Sequence, residues 1–256
     1  MENNYRLGMS DILYDIRWTD ELDEKFISDF LFVQNEVFHC GSRKEFKCQF
    51  EENIYGRSVV VVVYLDGEPV AARALWRNDI DGKEAYQPGS TCVLPICRGK
   101  GIFKEMTMQA ISKLPSPAII YNFPNYNSFP GYMKMGWNLV CDYRARLYIS
   151  YKAYHQEHSM IADKDYVNWW FVGKKLKFVK RGSHYFLVQK DHRPLCWHIL
   201  AEVDKESALK YPKMGAGILF YKSAKVTWYN KKLGASHVVC KNRDQEYIPT
   251  WKIDAV

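Results

Sequence analysis

The sequence predicts a mixed α/β protein: a central, twisted, mostly antiparallel sheet with flanking helices, followed by a smaller sheet-rich C-terminal unit. Three observations predict it. Ser58–Leu65 and Val70–Trp76 are apolar, β-branched runs separated by Asp66-Gly67, the pattern of a tight hairpin. A second apolar stretch ends at Leu94-Pro95, passes through Arg98-Gly99-Lys100-Gly101, and gives way to helix-forming residues from Ile102. That helix separates the stretch from the next apolar run, Ala118–Asn122, and a helical crossover of this kind joins parallel neighbours.

The remaining elements follow in chain order. Ile12, Tyr14, Ile16 and Trp18 alternate with Leu13, Asp15 and Arg17 as a strand does. Thr19 or Asp20 is the expected cap of the first helix, whose core face repeats Leu22, Phe26, Phe30, Val33 and Val37. Gly41 breaks it, and Glu45–Tyr55 fits a short helix or a loop. Asp81-Gly82 turns the chain into a fourth strand, Glu84 to Leu94, with a bulge expected at Pro88-Gly89. The helix from Ile102 carries Phe103, Met106, Ala110 and Leu114 on one face and ends at Pro115 and Pro117. Asn125 to Ser128 is a polar turn, Pro130 starts a helix of barely two turns, and Gly136 stops it. Trp137–Tyr143 and Arg144–Ser150 read as two strands.

Beyond Ser150 the chain turns polar and loses its period. The domain division read from this is 1–150, a linker over 151–166, and a smaller unit over 167–256. In that unit Lys177–Lys190 and Leu195–Val203 read as strands, Lys205–Tyr211 as a helix, and Ile218–Tyr221, Lys225–Tyr229 and His237–Lys241 as further strands.

Composition bounds the function. Of 256 residues, 47% are apolar and 25% charged, a globular balance. The net charge of +7 is modest and interspersed, without a basic tail, so nucleic acid is not an expected partner. The run Val59–Leu65 is too short to span a bilayer, and Met1–Asn4 has no signal pattern. The seven cysteines include no C-x-x-C pair; they read as reduced thiols of a cytoplasmic protein with no metal site.

The loop at Arg98–Phe103 is the chemical centre of this reading. A strand that ends in a glycine-bearing turn before a helix directs backbone N–H groups at an anion, and Arg98 and Lys100 add positive charge. A pyrophosphate suits it. With Arg98-Gly99-Lys100-Gly101-Ile102-Phe103 in that place, and Asn125, Ser128, Tyr132, Lys134, Gly136 and Trp137 following at the spacing of a second motif, the first half resembles the GCN5-related N-acetyltransferases (the GNAT family). The loop departs from the family pattern at Phe103, where Gly or Ala is usual. Asn53-Ile54-Tyr55-Gly56, the Arg-Gly-Lys-Gly-Ile-Phe text itself, Phe123-Pro124-Asn125 and Asn168-Trp169-Trp170-Phe171 are similar to a two-part subgroup with a reduced acetyltransferase-like C-terminal half.

The resemblance implies the GNAT fold, with a fourth and a fifth strand that are parallel and splayed apart. It implies acetyl-CoA as co-substrate, its pyrophosphate held by Arg98, Gly99, Lys100, Gly101, Ile102 and Phe103. It also implies a pantetheine arm alongside Thr91, Cys92, Val93 and Asn125, and Tyr132 as the acid that protonates the leaving thiolate. The expected reaction is acetyl transfer to a primary amine of a small molecule, an amino sugar among the options, with Trp76, Tyr86, Trp137, Trp169 and Trp170 as a supply of aromatic surface. Glu84, Glu36 and His39 are candidate bases, none of them singled out, and a Cys92 or Cys97 nucleophile is disfavoured because no histidine stands near either in sequence. The alternatives are an acyl-CoA-binding module without turnover and an aminoacyl-transfer enzyme of the peptidoglycan-bridge type; a homodimer is left open.

Overall fold

The computed structural model describes residues 11–158, 161–171, 173–231 and 234–241. The N-terminal Met1–Asn4 therefore lies outside the described residues. Two compact units emerge: one made by the described residues up to Asn78 together with Tyr86–Ala118, the other by Asp79–Ala85 together with the described residues from Ile119 onward.

In the first unit β1 (Ile12–Trp18), β2 (Val59–Leu65), β3 (Glu68–Arg77) and β4 (Ala85–Val93) lie in that order, each antiparallel to the next. Asp66 and Gly67 both have positive φ, 53° and 87°, so the hairpin closes through the mirror-image turn that matches strand twist. All five valines of β2 are fully buried, because both faces of the strand are covered. Val59, Val61 and Val63 pack against Ile102, Met106 and Ala110 of α3 (Ile102–Ser112). The period of two sends Val60 and Val62 to the other face, and α1 (Glu24–Phe38) packs on β2 and β3. After it, α2 (Arg43–Phe46) runs on into a π-type turn over Lys47–Glu51, and Phe30, Phe46 and Phe50 meet edge-on or tilted.

Two expectations for this unit are corrected. The first helix starts later than Thr19 or Asp20: Leu22 is extended, and Asp23 caps α1 by accepting from the Phe26 N–H at 2.8 Å. The bulge in β4 falls after Pro88-Gly89 rather than on it. Leu75↔Pro88 and Ala74↔Gly89 pair in register, and then Ser90 and Thr91 together oppose the single residue Arg73 before Ala72↔Cys92 resumes. Gly89 has a different duty: a Cβ there would stand 3.4 Å from the Trp76 indole nitrogen.

The second unit orders its strands as β5 (Ile119–Asn122), β11 (Ser236–Cys240), β6 (Asn138–Leu147), β10 (Ile218–Ser223), β9 (Cys196–Val203), β8 (His184–Lys190) and β7 (Lys177–Arg181). Here β9 and β10 are parallel and the other pairs antiparallel. The helices α4 (Phe129–Lys134), α5 (Tyr151–His155), α6 (Lys164–Trp170) and α7 (Lys205–Ala208) complete it. The chain as a whole is thus mixed α/β with mostly antiparallel strands, as expected.

Several boundaries differ from the sequence reading. The two strands expected over 137–150 are one, β6, because β11 pairs along its first part and β10 along its second. The run Lys177–Lys190 is a hairpin that turns at Gly182, φ 61°. Lys225–Tyr229 is no strand: Asn230 is fully buried, accepts from the Thr227 N–H at 2.6 Å and donates to the Lys225 carbonyl at 3.1 Å, which folds the segment on itself. The polar stretch after Ser150 holds α5 and the start of α6, with Tyr154 and His158 buried. Among the described residues no helix is long and apolar enough to cross a membrane.

Candidate functional site

The loop residues Arg98–Phe103 and the strand residues Thr91–Val93 belong to the first unit, Asn125 and Tyr132 to the second. In the first unit Pro95–Cys97 forms a single 3₁₀ turn pinned by the buried Cys97 side chain, with the Cys97 N–H donating to the Leu94 carbonyl at 2.8 Å. Gly99 and Gly101 follow with φ of 79° and 80°, a conformation that costs glycine nothing and other residues about 1 kcal/mol. Nothing lies within 4 Å of a Cβ built on either, so backbone conformation alone demands glycine there. The Gly101 carbonyl accepts the first bonds of α3, from Lys104 and Glu105 at 3.0 and 3.1 Å. The N–H groups just before them are the ones a helix leaves without an internal partner. Arg98 and Lys100 are exposed beside them, Arg98 donating from Nε to the Val93 carbonyl at 3.1 Å. Ile102 is buried in the core. Phe103 lies under the guanidinium of the fully buried Arg73, 5.2 Å from its ring centroid, which gives an aromatic ring at this position a physical role.

The bulge ahead of the loop is held from α1. Gln34, buried on the core face of that helix, donates from Nε2 to the Ser90 carbonyl at 2.5 Å and to the Cys92 sulfur at 3.0 Å. Ser90 takes a positive φ of 48° there. Thr91 and Val93 are half-buried, and the Thr91 hydroxyl donates to the Gly89 carbonyl at 3.2 Å. Burial pushes the Cys92 thiol up to about 12, so it stays protonated at neutral pH.

In the second unit the Asn125 side-chain carbonyl accepts from the Ser128 N–H at 3.0 Å and from its hydroxyl at 3.1 Å, while the Asn125 main-chain carbonyl accepts from the Phe129 N–H. The residue shapes the entry to α4, and its side-chain amide nitrogen faces no demand from those bonds. Tyr132 is 2% exposed and meets Trp137 edge-on at 4.8 Å. Gly136, φ 73°, ends the helix, and the Lys241 ammonium donates to the Met135 carbonyl at 2.6 Å, a cation at the negative end of α4. One turn back from Tyr132, Phe129 stacks on the His237 ring at 4.0 Å, and His237 Nδ1 lies 2.7 Å from the Asp142 carboxylate. Nε2 is the ring nitrogen left outside that pair.

Sequence reasoning missed Gln34 and the His237–Asp142 pair. Gln34 sits one step past Val33 on an apolar face, and a lone glutamine among hydrophobic positions was the available signal. The pair at 142 and 237 had none, since a strand register joins them. Glu36 and His39 are exposed and Glu84 is half-buried. The expected aromatic surface is corrected: Trp76, Tyr86, Trp137 and Trp169 are all buried in the core, leaving Trp170 half-buried. Among the described residues, no group of three or more His, Cys, Asp or Glu side chains is placed to hold a metal ion.

Solved structures share this architecture. A Pyrococcus horikoshii protein described as a candidate acetyltransferase superposes with a TM-score of 0.55 at 11% identity, over 97% of this chain and 95% of that one. A conserved Enterococcus faecalis protein of unknown function, described as a candidate N-acyltransferase, gives 0.54 at 12% identity over 90% of this chain and 72% of that one. The fold is that of the GCN5-related N-acetyltransferases. A protein of that name from Kribbella flavida gives a TM-score of 0.53 at 12% identity over 89% of this chain and 71% of its own. No family model matches the sequence, and no curated protein matches it. At these identities the likeness is one of GNAT fold.

Proposed function

We propose that the chain is an acetyl-CoA-dependent N-acetyltransferase that moves an acetyl group to a primary amine of a small molecule by direct attack. The observation that carries this reading is the loop from β4 to α3. Two left-handed glycines, an exposed arginine and an exposed lysine precede a helix N-terminus, in the GNAT fold, at the end of a bulged strand. Arg98, Gly99, Lys100, Gly101, Ile102 and Phe103 would hold the CoA pyrophosphate. Thr91, Cys92 and Val93 would pair with the pantetheine arm through main-chain groups, and the Asn125 amide would donate to it.

The amine lone pair attacks the thioester carbon, forming the C–N bond while the carbonyl electrons move to oxygen. Main-chain N–H groups of β4 stabilise that oxygen. Collapse restores the carbonyl and breaks the C–S bond, and the Tyr132 hydroxyl gives its proton to the departing sulfur. His237, oriented by Asp142, takes the proton that the amine must lose. A cytoplasmic location suits the seven cysteines, all of them free thiols.

Free-thiol release from acetyl-CoA over a panel of amino sugars, amino acids and polyamines tests the reading. Turnover with at least one amine is expected. Tyr132→Phe should lower kcat about 100-fold with little change in KM for acetyl-CoA, and His237→Asn should lower kcat. Full activity of Tyr132→Phe would remove that residue from the chemistry, and binding of acetyl-CoA without release on any amine would make the chain a binding module.

A further inference from the structure

The second unit carries a cleft of about 260 Å³ that the acetyl-transfer reading does not use. Strand register puts its floor on one face of the sheet. Tyr143 is opposite Ser236, Ala145 is opposite Lys222, and Phe220, two residues before Lys222, is opposite His198. Arg193 and His192 enter from the turn between β8 and β9.

Charge is organised around Asp191, whose side chain is 7% exposed. It accepts from the Arg193 side chain at 2.8 and 3.2 Å and from the Arg193 N–H at 2.9 Å. It also pairs with His198 Nε2 at 2.5 Å and His192 Nδ1 at 3.1 Å. The Arg193 guanidinium holds this carboxyl well below the usual carboxylate range, so one fixed negative charge gathers an arginine and two imidazoles. Lys222 stands across the cleft, its ammonium 3.4 Å from the Ser236 hydroxyl. Arg193, His192 and Lys222 all line the cleft. His198 Nδ1 is buried with no hydrogen-bond partner among the described residues.

We propose that this cleft binds a small phosphorylated molecule, its phosphate held by Arg193, His192 and Lys222 and its organic part lying over Tyr143 and Ala145. Donors arriving from two elements, the β8–β9 turn and β10, suit a tetrahedral dianion, whereas a planar carboxylate can be satisfied by a single arginine edge. The proposal does not depend on acetyl transfer.

Calorimetric and NMR titration of the full chain at low salt, with glycerol 3-phosphate, inorganic phosphate and malonate, tests it. Saturable binding is expected, tightest for the phosphate ester, with shifts confined to the cleft residues. Lys222→Gln should weaken it about tenfold. His192→Ala, at a side chain 86% exposed and so without risk to folding, should weaken it severalfold. Lys152→Gln, an exposed lysine on α5, should leave it unchanged. Absence of saturable binding at about 10 mM ester, equal affinity for malonate, or equal losses in Lys222→Gln and Lys152→Gln would each overturn the proposal.

Discussion

In the proposed reaction Tyr132 would act as an acid and Cys92 would be the alternative nucleophile, and the surroundings of each separate the two chemistries. A tyrosine hydroxyl can serve as an acid without ionising beforehand, whereas a cysteine nucleophile needs its thiolate. Burial holds the Cys92 thiol near 12, and Gln34 donates to its sulfur at 3.0 Å without bringing a base to it. Cys92→Ala is therefore expected to keep wild-type kcat in the thiol-release assay. Iodoacetamide at pH 8 should label the exposed Cys40 and spare Cys92 by mass spectrometry; loss of turnover in the alanine variant would restore a covalent route. Gly99 and Gly101 were legible as glycines that a loop requires. Gln34 was not, because its duty is to a carbonyl 56 positions away.

At the scale of elements, the bulge in β4 is the device that depends most on a distant partner. Gln34→Leu keeps the bulk and strands the Ser90 carbonyl, an unsatisfied group worth about 1–3 kcal/mol. A drop of that size in urea unfolding is expected, together with weaker acetyl-CoA binding by calorimetry; unchanged values on both would free the bulge from α1. Elements written in local chemistry were readable from the chain: the Asp66-Gly67 hairpin, the start of α3 at Ile102, and the stop of α4 at Gly136. Elements set by tertiary pairing were not. The extended Leu22 moved the first cap to Asp23, two partner strands fused residues 138–147 into one β6, and Asn230 replaced a strand with a side-chain-bonded turn. The place of β11 between β5 and β6 belongs to the same class, since a five-residue strand carries no sign of its neighbours.

Across the whole molecule, stability should depend on pH through a buried histidine. His158 is 3% exposed and stacked on Tyr154, and burial pushes it down to about 4. The unfolded chain takes up this proton near 6.5 and the folded chain does not, so stability is full above that pH and falls as pH drops from there towards 4. The loss is about 2–3 kcal/mol. Melting temperatures across that range should show it, and His158→Phe should flatten the curve; an unchanged slope would place the sensitivity elsewhere. The fold itself is shared with solved structures at 11–12% identity, so the proposed function of this chain is argued from its own loop, strand and tyrosine. The most direct test is calorimetric titration of the chain with acetyl-CoA, beside Gly101→Val, which forces a β-branched residue into a φ of 80°. The expected result is micromolar affinity for the wild type and a loss of at least about tenfold in the variant, with Tyr132→Phe binding as the wild type does. No binding at millimolar acetyl-CoA, or equal affinity in Gly101→Val, would contradict the account.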